Sequence, residues 1–110
     1  MTIESSTQGS ALVVRVAGRM DAASTTQFDQ TCRDAIRDGA TRIIADLSNL
    51  DYISSMGLGT LLGIAKTLQP SGGKVVLCGL KGLVKEVFDL TRLTPLFPVF
   101  DSAEAALKGV

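Results

Sequence analysis

The 110-residue sequence predicts a single α/β domain over residues 1–110, with a mixed, mostly parallel sheet of four to five strands and about four helices. Three observations carry that prediction. Short apolar runs of strand length alternate with segments whose apolar residues recur at helical spacing. Turn-forming residues separate the runs, with no linker, repeat or low-complexity stretch between them. Strands that alternate with helices pair in parallel through right-handed crossovers.

The elements follow in order. Residues 12–17 (Leu-Val-Val-Arg-Val-Ala) read as a strand ending at Gly18. The weaker run around Ile3 pairs with it through a turn at Gln8-Gly9-Ser10, and this hairpin makes the sheet mixed. Phe28, Cys32, Ala35 and Ile36 then form one stripe of a helix from Ala22 to Asp38, with Asp21 placed to cap it and Gly39 to stop it. Arg42 to Leu47 is a short apolar run suited to a strand buried on both faces. A polar turn at Ser48-Asn49-Leu50-Asp51 leads to a second helix that begins near Ser54 or Ser55. Its stripe is Leu58, Leu61, Leu62, Ala65 and Leu68, and Pro70-Ser71-Gly72-Gly73 ends it. Lys74 to Cys78 is the next strand; Leu83, Val84, Val87 and Phe88 mark a third helix. Phe97 to Phe100 is the last strand, placed at an edge by Pro98, and Ser102 caps a closing helix from Ala103 to Lys108.

Composition narrows the function. Eleven basic residues balance eleven acidic ones, and aromatic residues make up only 5% of the chain. That lacks both the positive footprint and the stacking surface of a nucleic-acid binder. No basic, apolar leader opens the sequence and no stretch of about 18 apolar residues occurs, so the expectation is a cytoplasmic protein without a membrane partner. Cys32 and Cys78 sit in apolar patterns at no metal-ligand spacing, and they read as buried reduced thiols. Most restrictive is the absence of histidine. It removes the Ser-His-Asp and Cys-His nucleophiles, histidine bases and histidine metal sites together. An enzyme would have to work with carboxylates or lysines alone, so a non-enzymatic role without cofactor or metal is expected.

The segment Tyr52-Ile53-Ser54-Ser55-Met56-Gly57-Leu58-Gly59 stands apart. It lies beyond the carboxyl end of a parallel strand, where α/β sheets keep their sites. Two glycines early in a helix cost on the order of 1 kcal/mol each against alanine. Small residues there allow another chain to approach the backbone closely. A dinucleotide loop fails because Leu62 stands at the third glycine position, and a phosphate-binding loop fails because Val75 follows Gly73-Lys74. A nucleophile elbow fails because Ile53 replaces its first glycine. Ser54 and Ser55 also suit a plain helix cap, a role compatible with carrying a phosphate.

The run from Asp46 to Leu62, Asp-Leu-Ser-Asn-Leu-Asp-Tyr-Ile-Ser-Ser-Met-Gly-Leu-Gly-Thr-Leu-Leu, resembles the signature of the STAS domain. That domain is shared by anti-sigma factor antagonists and the cytoplasmic tails of sulfate transporters. Gly18-Arg19-Met20-Asp21 resembles the family's first loop, and residues 72–79 its fourth-strand region. The resemblance implies the STAS fold and, for a stand-alone bacterial member, an antagonist in a partner-switching pathway. Such a protein binds an anti-sigma factor that is also a serine kinase of the histidine-kinase-like ATPase class. Phosphorylation releases it, and a PP2C-type phosphatase resets it. By the family register the acceptor is the serine two residues before the motif glycine, here Ser55 before Gly57. Two departures stand out: Ser54 occupies a position often held by Asp, and Met56 replaces a smaller residue. Ser54 is thus a second candidate acceptor. Asp21, Ser54, Ser55, Met56, Gly57 and Gly59 make up the implied partner-binding surface. The alternative within the family is a non-catalytic adaptor subunit of a lipid-trafficking or other transporter ATPase complex.

Overall fold

The computed structural model describes residues 1–109. Its five strands are β1 (Thr2–Gln8), β2 (Ala11–Met20), β3 (Arg42–Ile53), β4 (Lys74–Cys78) and β5 (Val99–Phe100). The helices are α1 (Ala22–Arg37), α2 (Ser55–Leu68), α3 (Gly82–Leu90) and α4 (Ala103–Gly109). The sheet runs β1-β2-β3-β4-β5, with β1 antiparallel to β2 and the other neighbours parallel. This is the α/β architecture, strand count and helix count that the sequence predicts. No described helix is long and apolar enough to cross a membrane.

Each of the three parallel crossovers steps one strand in the same direction, and right-handed connections then place α1, α2 and α3 on one face. The main core lies beneath them, where Phe28, Cys32, Leu61, Ile64 and Phe88 meet Val14, Ala45, Leu47 and Leu77 of the sheet. The other face is covered by the short α4, whose Ala103 and Ala106 rest on Val13, Ile44, Val76 and Cys78. Ser102 caps that helix as expected, its Oγ accepting from the Ala105 N–H at 3.1 Å.

Three elements differ from the sequence reading, each for a local reason. Gly18 does not end β2; it sits inside the strand at φ +95°, a conformation that favours glycine, and marks a bend. Ser48 to Asp51 is no turn but the continuation of β3. Beyond Arg15↔Asp46 the pairing jumps to Ala17↔Asn49, and beyond Gly18↔Leu50 it jumps to Arg19↔Tyr52. Each jump inserts one extra residue into β3, which breaks the alternation of faces. Leu47, Leu50 and Ile53, three residues apart, consequently all turn toward the helices, a spacing that does not read as a strand. Lastly, β5 begins at Val99 rather than Phe97, since Pro98 has no N–H with which to extend the ladder. It is the edge strand, as expected of that proline.

Helix α2 buries Leu58, Leu61, Ile64 and Leu68, so Ile64 belongs to the stripe and Leu62 and Ala65 lie half-buried at its margin. Its first turn seats on the ends of β2 and β3. A Cβ on Gly57 would come within 2.8 Å of Ile53 Cγ1 and 2.9 Å of Met20 Sδ, both belonging to buried residues. A Cβ on Gly59 would meet nothing within 4 Å. The two glycines therefore have different causes: Gly57 lets the helix dock, whereas the fold makes no steric demand at Gly59. Gly57→Ala should lower stability by up to about 2 kcal/mol in urea unfolding, overpacking of ~1–3 kcal/mol outweighing the ~1 kcal/mol gain in helix propensity. Gly59→Ala should raise it by up to about 1 kcal/mol. Equal effects at both positions would refute the distinction.

Candidate functional site

The site is built where two parallel strands end side by side. Met20 pairs with Ile53, and the next N–H, that of Ser54, donates to the Met20 carbonyl at 2.9 Å. Asp21 and Ser54 therefore leave the sheet together, and each caps the helix that follows. Ser54 has extended backbone (φ −83°, ψ 168°), and its Oγ accepts from the Gly57 N–H at 3.2 Å. Its side chain is thus committed to the cap, and the residue is half-buried.

Ser55 is the first helical residue of α2 and is exposed, and no hydrogen bond ties its hydroxyl among the described residues. It is surrounded by the free N–H groups that open every α-helix. The first turn of α2 contains no acidic residue, so the positive end of its macrodipole has no carboxylate of its own helix to offset it. An anionic group on Ser55 would meet favourable charge. Ser54 and Ser55 are adjacent but not equivalent: one oxygen holds the helix start together and the other is free.

Asp21 caps α1 through a reciprocal pair. Its Oδ1 accepts from the Ser24 N–H at 2.9 Å, and its own N–H donates to Ser24 Oγ at 3.1 Å. The Ser24 amide and then the Ser24 hydroxyl hold its carboxyl below the usual carboxylate range. The residue remains exposed, so its charge is available to a partner as well.

Met56 is 53% exposed and Leu58 only 9%, which separates them as surface and core. Gly57 is buried and Gly59 exposed. Met56, Gly59, Thr60 and Gly63 form the α2 wall of a solvent-open groove of about 510 Å³, and Thr25, Thr26 and Asp29 form its α1 wall. Arg33 ties the two walls, bonding Asp29 at 3.1 Å and Thr67 Oγ1 at 2.7 Å. Of the residues singled out from the sequence, Asp21, Ser54 and Gly57 serve the fold directly. Ser55, Met56 and Gly59 are displayed without a structural task.

Sequence reasoning missed Arg19. It is exposed, takes part in no ion pair among the described residues, and lies 4.3 Å from the centre of the Tyr52 ring. The pairing Arg19↔Tyr52 follows from the second extra residue in β3, which a pattern of alternation cannot show. Arg19 in turn offers its carbonyl to the Ser24 hydroxyl at 2.9 Å.

The described residues contain no group of three or more Cys, Asp or Glu arranged to hold a metal ion. Both thiols are free and buried; burial pushes Cys32 and Cys78 up to about 12, so neither is a nucleophile near neutrality.

Known proteins resemble this chain in sequence and in fold. The STAS domain family model matches residues 2–106. BtrV of Bordetella bronchiseptica, named as a candidate anti-sigma factor antagonist, is 39% identical over 95 residues, covering 86% of this chain and 82% of that protein. The solved structure of the anti-sigma factor antagonist SpoIIAA in its unphosphorylated form superposes with a TM-score of 0.84 at 26% identity, over 99% of this chain and 98% of that one. The phosphorylated form of SpoIIAA, the Bacillus cell fate determinant, superposes at 0.78 with 24% identity, over 99% and 100% of the two chains. The shared fold, the extent of the match and the identity lead to one conclusion: the chain belongs to the STAS domain family.

Proposed function

We propose that this protein is an anti-sigma factor antagonist that acts by binding rather than by catalysis, with Ser55 as the phosphate-accepting switch. The observation that carries the reading is the exposed, unbonded hydroxyl of Ser55 on the first residue of a helix whose first turn has no acidic residue. The names of BtrV and SpoIIAA support the class of function.

In this reading the unphosphorylated face docks an anti-sigma factor that is also a serine kinase of the histidine-kinase-like ATPase class. Asp21, Ser54, Ser55, Met56, Gly57 and Gly59 lie in or beneath that face. The kinase supplies ATP and Mg²⁺, so this chain needs no cofactor, and the exchange takes place in the cytoplasm. Transfer to Ser55 adds about −1.5 to −2 charges. The N-terminus of α2 accommodates them, since its N–H groups and dipole favour anions. The docked partner does not, because misplaced interfacial charge costs several kcal/mol. The fold survives and the complex dissociates. A PP2C-type phosphatase then restores the hydroxyl. SpoIIAA superposes on this chain in both of its forms, which supports a modification that leaves the fold intact.

Intact-mass measurement after incubation with the partner ATPase and ATP should show a gain of one phosphate, mapping to Ser55. Ser55→Ala should abolish that gain and keep partner binding. Ser55→Asp should weaken binding at least tenfold, about 1.4 kcal/mol. Its thermal midpoint should move by less than about 4 °C, the shift that ~1 kcal/mol produces in a domain of this size. Ser54→Ala should cost about 1 kcal/mol of stability by removing a cap, yet still accept phosphate. Phosphate mapping to Ser54, or an unfolded Ser55→Asp variant, would overturn the assignment. Stable partner binding with no phosphate gained would identify a passive adaptor instead.

A further inference from the structure

The far end of α2 lies about 20 Å from Ser55, at 1.5 Å per residue over 14 residues. There a second concavity opens between the C-terminal half of α2, the start of β4 and the connection leading to β5. This groove measures about 340 Å³. Leu62, Val75, Leu96 and Phe97 supply its apolar lining, and the exposed Lys66 and Lys74 flank it.

Its charge is one-sided. None of the eleven acidic residues of the chain lines the groove. Neither lysine belongs to an ion pair among the described residues; those pairs are Arg15–Asp46, Arg33–Asp29, Arg37–Asp34 and Lys85–Asp89. Apolar surface lies open within it as well: Leu96 is 61% exposed. The partner-switching reading uses none of these residues.

We propose that this groove is a second docking site that takes a short acidic segment of another protein. An apolar side chain of that segment seats against Leu62 and Leu96, and flanking carboxylates face Lys66 and Lys74. Two lysines on flexible stems act as point charges, which suits irregularly spaced carboxylates better than a single bidentate one. Lysines at a rim set selectivity and association rate more than affinity, so the apolar contact anchors the segment. A groove this open takes side chains of an extended peptide, whereas an enclosing pocket is needed to bury most of a small ligand. Because the site lies away from Ser55, a bound segment and the switch operate together without competing for surface.

The test is an NMR titration of the ¹⁵N-labelled full chain with the capped peptide Glu-Leu-Glu-Leu-Glu at up to millimolar concentration. Amide shifts should concentrate at residues 62–75 and 93–98. Lys66→Glu combined with Lys74→Glu should weaken binding at least tenfold and confer binding of the charge-reversed peptide Lys-Leu-Lys-Leu-Lys. Leu96→Ser, at an exposed position, should weaken binding without changing its salt dependence. Ser55→Asp should leave this titration unchanged, which separates the site from the switch. Shifts centred on residues 54–60, no shifts at millimolar peptide, or insensitivity to the lysine reversal would overturn the proposal. So would decanoate producing the same shifts with the same lysine dependence, since the groove would then take an acyl chain.

Discussion

The placement of the whole surface around Ser55 depends on how β3 lies against β2. Two extra residues in β3 displace its second half relative to its neighbour, turning Leu47, Leu50 and Ile53 to one side. Ile53 then lies beside Met20 as a shared floor. Only a residue without a side chain can rest on that floor, and Gly57 does so. The contact sets the height of the first turn of α2, and with it the cap at Ser54 and the display of Ser55. One van der Waals constraint thus converts a strand register into the position of a hydroxyl.

Within this arrangement the two serines divide their labour. Ser54 stabilises the helix start and would be compromised by modification, because its oxygen already accepts from the Gly57 N–H. Ser55 contributes nothing comparable to the fold, so its chemistry can change at little structural cost. Asp21 shows the reverse economy on the neighbouring helix. It is bound into a reciprocal cap and still presents its charge outward. Capping and outward display are therefore separated at α2 and combined at α1.

Much of this was legible in the sequence because local signals and tertiary packing agree. The order of elements followed from alternating apolar runs, and the caps at Asp21 and Ser102 followed from side-chain chemistry. Buried Leu58 followed from helical periodicity. What escaped was set by pairing between distant segments. The second half of β3 looked like a turn because Ser48, Asn49 and Asp51 interrupt its apolar residues, and only the shifted ladder with β2 makes it a strand. Arg19 was legible only as one residue of a family-like loop; its contact depends on Tyr52, more than thirty residues later, arriving opposite it. Gly57 and Gly59 look alike in sequence, and only the atoms beneath them reveal that one is required by packing and the other is not.

The two buried thiols have a consequence for how the protein experiences acidity. The chain has no imidazole, and cysteine, the other side chain that commonly titrates close to neutrality, has been moved to about 12 at both of its positions. Modest acidification or alkalinisation of the surroundings therefore finds no such side chain to protonate or deprotonate. Neither imidazole nor thiolate chemistry is thus available to the unmodified domain as a sensor of acidity near neutrality.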